Sequence, residues 1–220
     1  ISFIEALGII KFSAAAANQK LKLLSAKKAA PIKAASKDVI KGLYDDAFPL
    51  DVFQTGSGTS TNMNANEVIA NLASKASKLS IDANDDVNMS QSSNDVIPTA
   101  ICISALIDMH RLLLPNLDIL IKSIDAKMLK LKGKVKTGRT HLMDAMPIDF
   151  SQELSGWKAQ LESSKKSLIT ATNRMNELSQ GGTAIGTGIN SHKDFSKNFC
   201  IQVNQVSKLK TKPAKNFFQG

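Results

Sequence analysis

The sequence predicts an all-α protein: an N-terminal helical domain followed by part of a long-helix bundle. Apolar residues recur at three-and-four spacing through most of the chain, two of these stripes are long, and strand-type alternation over several segments is absent. With 220 residues, 43% hydrophobic and 21% charged, the chain is long enough for a sizeable core in one large or two small domains.

The elements follow in order. Ile4, Leu7 and Ile10 begin a helix that runs into the alanine-rich stretch at 14–17. Pro31 suits the first turn of a second helix, ahead of Ile32, Ala35, Val39, Ile40 and Leu43. A third helix is expected to start within 64–67 and a fourth after Ser93, with Pro98 in its early turn. Pro115 marks a break after a helix ending near Leu114, and Leu117, Leu120, Ile121, Ile124, Met128 and Leu131 form the next stripe. From Leu154 the apolar positions run Leu154, Trp157, Leu161, Leu168, Ala171, Met175 and Leu178, the seam of a long helix packed at a small crossing angle. Short helices and polar loops give way to long helices near 90–93. The domain boundary is therefore placed there, with residues 1–91 and 92–220 as the two domains.

Composition narrows the function. The longest apolar run, 100–107, is broken by Ser104 and falls far below the roughly 20 residues of a membrane span, so none is expected. The charge of +9 comes mainly from lysines spread over helix surfaces; only Arg111, Arg139 and Arg174 are arginines, and the few aromatics are not interleaved with them. That pattern argues against nucleic acid as a partner, although a basic field raises the local concentration of an anionic substrate. Cys102 and Cys200 have no metal-ligand or redox spacing and read as small buried hydrophobes. The chain starts at Ile1 with helix periodicity already under way, as expected of a piece of something longer.

Three polar signatures carry the chemistry. In QTGSGTSTNMNANE (54–67), Gly56 and Gly58 allow close backbone approach while Ser57, Thr59, Thr61 and Asn62 offer neutral donors beside a helix start, a cradle for a carboxylate. It lacks the GK[ST] ending of a phosphate loop. In SQSSNDVIPTA (90–100), Ser92, Ser93 and Asn94 stand in a row where a helix cap needs one such residue, an excess that favours ligand contact. GRTHLMDAMP (138–147) sets His141 in a polar turn beside Thr140 and Asp144, whereas His110 and His192 read as structural.

Together with GGTAIGTGINSH (181–192), these segments stand in the order and approximate spacing of the class II, metal-free fumarases of the fumarase/aspartase superfamily, which the chain resembles over nearly its whole length. The resemblance implies a lyase of that all-α fold that interconverts fumarate and L-malate, without a metal or other cofactor. It implies a homotetramer with active sites shared between subunits, in the cytoplasm or, in a eukaryote, the mitochondrial matrix. By the same resemblance Ser57, Gly58 and Thr59 bind one substrate carboxylate and Ser92, Ser93 and Asn94 complete the pocket. Thr140 and His141 face the reacting carbons, His141 being the catalytic residue. A secondary dicarboxylate site would fall at Asp82, Asn84 and Asp85; where the family reads His-Pro-Asn-Asp this chain reads DAND, and Asp82 in place of a potential cation weakens anion binding there. The family's base loop, of GSSxMPxKxN type, is not in the sequence, which ends at Gly220. Aspartate ammonia-lyase is the nearest alternative, and Ser93 and His141 lean away from it; a non-catalytic structural homologue is the other.

Overall fold

The computed structural model describes residues 2–51, 53 and 56–219; Gln54 and Thr55, which open the first signature, lie outside them. Among the described residues seven α-helices dominate: α1 (Ser2–Lys20), α2 (Ala26–Ile40), α3 (Thr59–Ser77), α4 (Ser93–Asp108), α5 (Leu114–Leu131), α6 (Phe150–Met175) and α7 (Phe195–Ser207). The chain divides into two compact units, Ile1–Ile107 with Met175–Gly220, and Asp108–Arg174. The change of character near residue 91 lies inside the first unit.

In the first unit α1 is the central element. Its Ala6, Leu7, Ile10, Ala14 and Ala17 share one buried cluster with Val96, Ala100, Ile103 and Leu106 of α4 and with Phe195, Phe199 and Val203 of α7. A second cluster joins Ile32, Ala35 and Val39 of α2 to Ile69, Ala70 and Ala73 of α3. Alanines at these contacts let backbones approach closely, and each fully buried Leu, Ile or Phe contributes roughly 1.5–3 kcal/mol relative to exposure.

Three helix boundaries differ from those the sequence suggests. Ser25 caps α2, its side chain accepting from the Lys28 N–H, so the helix starts at Ala26 and Pro31 lies inside it rather than in its first turn. Helix α3 starts at Thr59, earlier than 64–67, because Gly58 turns the chain with φ +62° and its carbonyl accepts from the Asn62 N–H. Pro115 does not end the helix: a π-helical segment, Met109–Leu113, connects α4 to α5, and Pro115 is the second residue of α5. The resulting helical run, Ser93–Leu131, is long and apolar enough by length and composition to cross a membrane, against the sequence expectation; a core helix meets the same test, and Ile103 and Leu106 are core residues.

The second unit contains strands the sequence does not suggest. Antiparallel β1 (Val135–Thr140) and β2 (Met143–Asp149) form a hairpin across the third signature, with Thr140 paired to Met143 and a register shift between Thr137 and Arg139. Its helices α5 and α6 run antiparallel, as the ion pairs Lys158–Asp125 at 2.7 Å and Lys165–Asp118 require. Two minimal strands, β3 (Glu177–Leu178) and β4 (Lys212–Pro213), pair in parallel in the first unit.

Candidate active site

The first two signatures meet in the first unit. Ser57 and Thr59 share a hydroxyl hydrogen bond at 3.4 Å, and the Thr59 and Ser93 hydroxyls share another at 3.3 Å, across two helix N-termini. Gly58 sits between, in a left-handed conformation that L side chains rarely adopt, and a Cβ there would stand 2.8 Å from Ile97 Cδ1. Only glycine fits. Ser57, Thr59 and Asn94 are solvent-facing at this junction, and Ser92 and Ser93 are half-buried. Hydroxyl and amide donors at helix starts suit an anion, since the helix dipoles and the free first-turn N–H groups add to them.

The fourth motif closes on the second through Asn94 and Asp95. Asn94 donates to the Ala184 carbonyl at 3.0 Å, while Asp95, buried, accepts from the backbone N–H groups of Ser92, Gly181 and Thr183, each at 2.9 Å. Burial pushes the Asp95 carboxyl above the usual range; those backbone donors and the charge of Lys11 pull the other way. A cavity of about 120 Å³ opens beside them, lined in part by Asn94, Asp95, Thr183 and Ile185. Behind the cradle lies Lys11, fully buried in α1, its Nζ donating to Asn62 Oδ1 at 2.8 Å, Asn88 Oδ1 at 2.9 Å and Gln91 Oε1 at 3.0 Å. Burial lowers its pKa to about 7, with the charge of Asp95 opposing.

Thr140 and His141 belong to the second unit. His141 and Leu142 are the two residues of the hairpin turn, with φ +46° and +64°, values that suit the turn to the twist of the strands but strain side-chain-bearing residues. The turn places His141 at the tip, exposed, and Arg139 pairs with Asp144 beside it at 3.0 Å. Gly138 is needed where the register slips, because a Cβ would lie 2.7 Å from the Met146 carbonyl oxygen.

The comparisons with known proteins agree on one group. A family model described as "Lyase" matches residues 2–220. The chain belongs to this lyase family. It is 50% identical over 218 residues to the class II fumarate hydratase of Xylella fastidiosa, covering 99% of this chain and 46% of that protein. It is 47% identical over 209 residues to the class II fumarate hydratase of Bacillus subtilis, covering 93% of this chain and 45% of the relative. Among solved structures, the class II fumarase of Schistosoma mansoni superposes with a TM-score of 0.95 at 38% identity, over 99% of this chain and 50% of the other. The chain thus spans about half the length of the relatives it matches.

The predicted site residues fall into separate places. Ser57, Gly58, Thr59 and Ser93 come together as one cluster, Ser92 and Asn94 flank it, and Thr140 and His141 stand on the hairpin. At the expected secondary site, Asp82 is occupied as a cap: its Oδ1 accepts from the N–H groups of Asn84 at 2.7 Å and Asp85 at 2.8 Å, which holds its carboxyl below the usual range. A carboxylate already committed to two backbone donors offers nothing to an incoming anion. Among the described residues no group of three or more His, Cys, Asp or Glu is placed to hold a metal ion. Sequence reading missed Lys11. The available signal was a lysine on an apolar face, four residues after Leu7 and three before Ala14, where a solvated side chain has no place.

Proposed function

We propose that the protein of which this chain forms part interconverts fumarate and L-malate in the tricarboxylic acid cycle, by anti addition of water through an aci-carboxylate. The observation that carries the reading is the meeting of Thr59 and Ser93 hydroxyls at two helix starts, in a chain whose relatives are named class II fumarate hydratases. Removing the weakly acidic proton beside a carboxylate creates a second negative charge on that carboxylate, so fixed donors are the main catalytic requirement. Ser57, Thr59, Ser92, Ser93, Asn94 and Thr140 supply neutral donors whose strength does not vary with pH near neutrality, and the Gly58 backbone admits the carboxylate. On the other face the hydroxide leaves as it takes a proton from a general acid, and His141 orients the water so formed. The proton on the neighbouring carbon passes to a base of the GSSxMPxKxN type, which this sequence does not carry.

The same reading makes the protein a homotetramer whose active sites draw on several subunits, with residues 1–91 in an N-terminal domain and 92–220 in the central bundle. It needs no cofactor and works in the cytoplasm or the mitochondrial matrix. The test is an ultraviolet assay of the full-length protein with L-malate and with L-aspartate. Fumarate produced from malate supports the proposal. Fumarate produced only from aspartate makes the protein an ammonia-lyase, and no product from either makes it a non-catalytic homologue. Replacement His141→Asn is expected to lower kcat far more than it weakens binding of a dicarboxylate inhibitor; equal losses would remove His141 from the chemistry.

A further inference from the structure

Lys11 is among the largest side chains in the chain with no exposed surface. An ammonium out of water costs several kcal/mol unless its donors are met. They are met here by three amide oxygens, those of Asn62, Asn88 and Gln91, all within 3.0 Å. Neutral amides do not cancel a charge, and a lysine kept only for core packing would be better replaced by an apolar residue of the same length.

The partners explain its place. Asn62 lies one helical turn after Thr59 on α3, and Gln91 immediately precedes Ser92. The Gln91 amide nitrogen donates to the carbonyls of Val87 at 2.9 Å and Met89 at 3.1 Å, which fixes its oxygen towards Lys11. Asn62 also donates to Asn88 Oδ1 at 3.3 Å, so the cage links two chain segments directly as well as through Nζ. α1, the start of α3 and the stretch 88–91 therefore share one hub directly behind the hydroxyl cluster.

We propose that Lys11 is a positioning residue for the carboxylate cradle: its ammonium ties the first turn of α3 to residues 88–91 and so sets the spacing between the hydroxyls of Thr59 and Ser93. This rests on the dicarboxylate-lyase reading above. The cradle grips a carboxylate that is present in both ground and transition states, so loosening it removes uniform binding and raises KM with little change in kcat. A residue that only stabilised the fold would behave oppositely, lowering the active fraction and apparent kcat at constant KM.

The experiment uses the full-length protein with Lys11→Met and, because Lys11→Met risks misfolding, Gln91→Met, which removes one acceptor and leaves the lysine. KM for malate is expected to rise about tenfold or more in Lys11→Met and about threefold or more in Gln91→Met, with active-site-corrected kcat within threefold of the unsubstituted protein. KM unchanged within twofold in the folded variants, whatever their thermal stability, overturns the inference while leaving the fumarase reading intact. If the unsubstituted protein turns over neither malate nor aspartate, the fumarase reading fails by itself, and calorimetric titration with succinate then decides: binding weakened by both substitutions supports the role of Lys11, and unchanged or absent succinate binding overturns it.

Discussion

Two buried charges set what single residues can be asked to do. Burial lowers the Lys11 pKa to about 7 from the ordinary 10.5 of an unfolded chain, so between those values the unfolded state binds more protons. Stability should therefore rise with pH through that window, the destabilising effect of the buried ammonium being fully present below about pH 7. Asp95 acts in the opposite sense: its raised pKa makes the folded state hold its proton longer, so its contribution falls as pH rises above 3.8. Urea midpoints taken between pH 7 and pH 9 should climb for the unsubstituted protein and climb less for Lys11→Met; parallel curves would show that Lys11 is not the group responsible. Asp95→Asn should destabilise by about 1–3 kcal/mol, since an amide cannot accept from Ser92, Gly181 and Thr183 as the carboxylate does without turning its own N–H₂ towards a donor. A midpoint unchanged by that substitution would mean the loop 181–183 is held by something else. Gly58→Ala belongs with these. A methyl group driven into Ile97 at a left-handed φ should cost about 1–2 kcal/mol from backbone strain alone and raise KM, which a thermal-shift and kinetic pair would read.

At the scale of elements, helices were legible where apolar spacing was unbroken and misplaced where one small residue decided the boundary. The stripe read from Leu154 to Leu178 is α6 as far as Met175, but Leu178 lies in β3 beyond the helix end. By contrast, α3 begins five residues before Asn64 because Gly58 can reverse the chain, a property that periodicity does not encode. The prolines misled for a related reason: Ser25 supplies the cap that starts α2 ahead of Pro31, and a π-helical segment carries the helix on to Pro115. The hairpin was invisible because its turn is His141-Leu142 rather than the Asn-Gly or Asp-Gly pair that marks such turns, and because Gly138 interrupts strand alternation. The residues of the third signature were nevertheless singled out correctly as a polar turn. That turn is improvable: Leu142→Gly, at φ +64° and almost fully exposed, should raise the urea midpoint of the second unit by an amount worth about 1 kcal/mol. An unchanged or lower midpoint would mean the leucine side chain makes a contact that offsets its strain.

For the molecule as a whole, the two units solve their burial problem differently. The first holds nearly all the fully buried side chains, while α5 has no buried residue and α6 has only Thr172. Ion pairs between α5 and α6 fix their antiparallel alignment, yet partly exposed ion pairs of this kind contribute little to stability, so the apolar stripe beside them must find its partner elsewhere. Leu120 at 46% and Trp157 at 55% exposure leave stripe residues in contact with water, apolar surface of the kind that marks an interface. The stripes read from sequence were therefore real as helix faces, but sequence spacing could not tell a face buried within the chain from one left partly exposed. The 23.7 kDa chain is accordingly expected to self-associate in sedimentation velocity, and Leu120→Lys with Trp157→Lys to shift it towards the monomer. A chain that sediments as a monomer without the substitutions would leave these helix faces to a different partner, because long apolar stripes in water are otherwise an aggregation hazard.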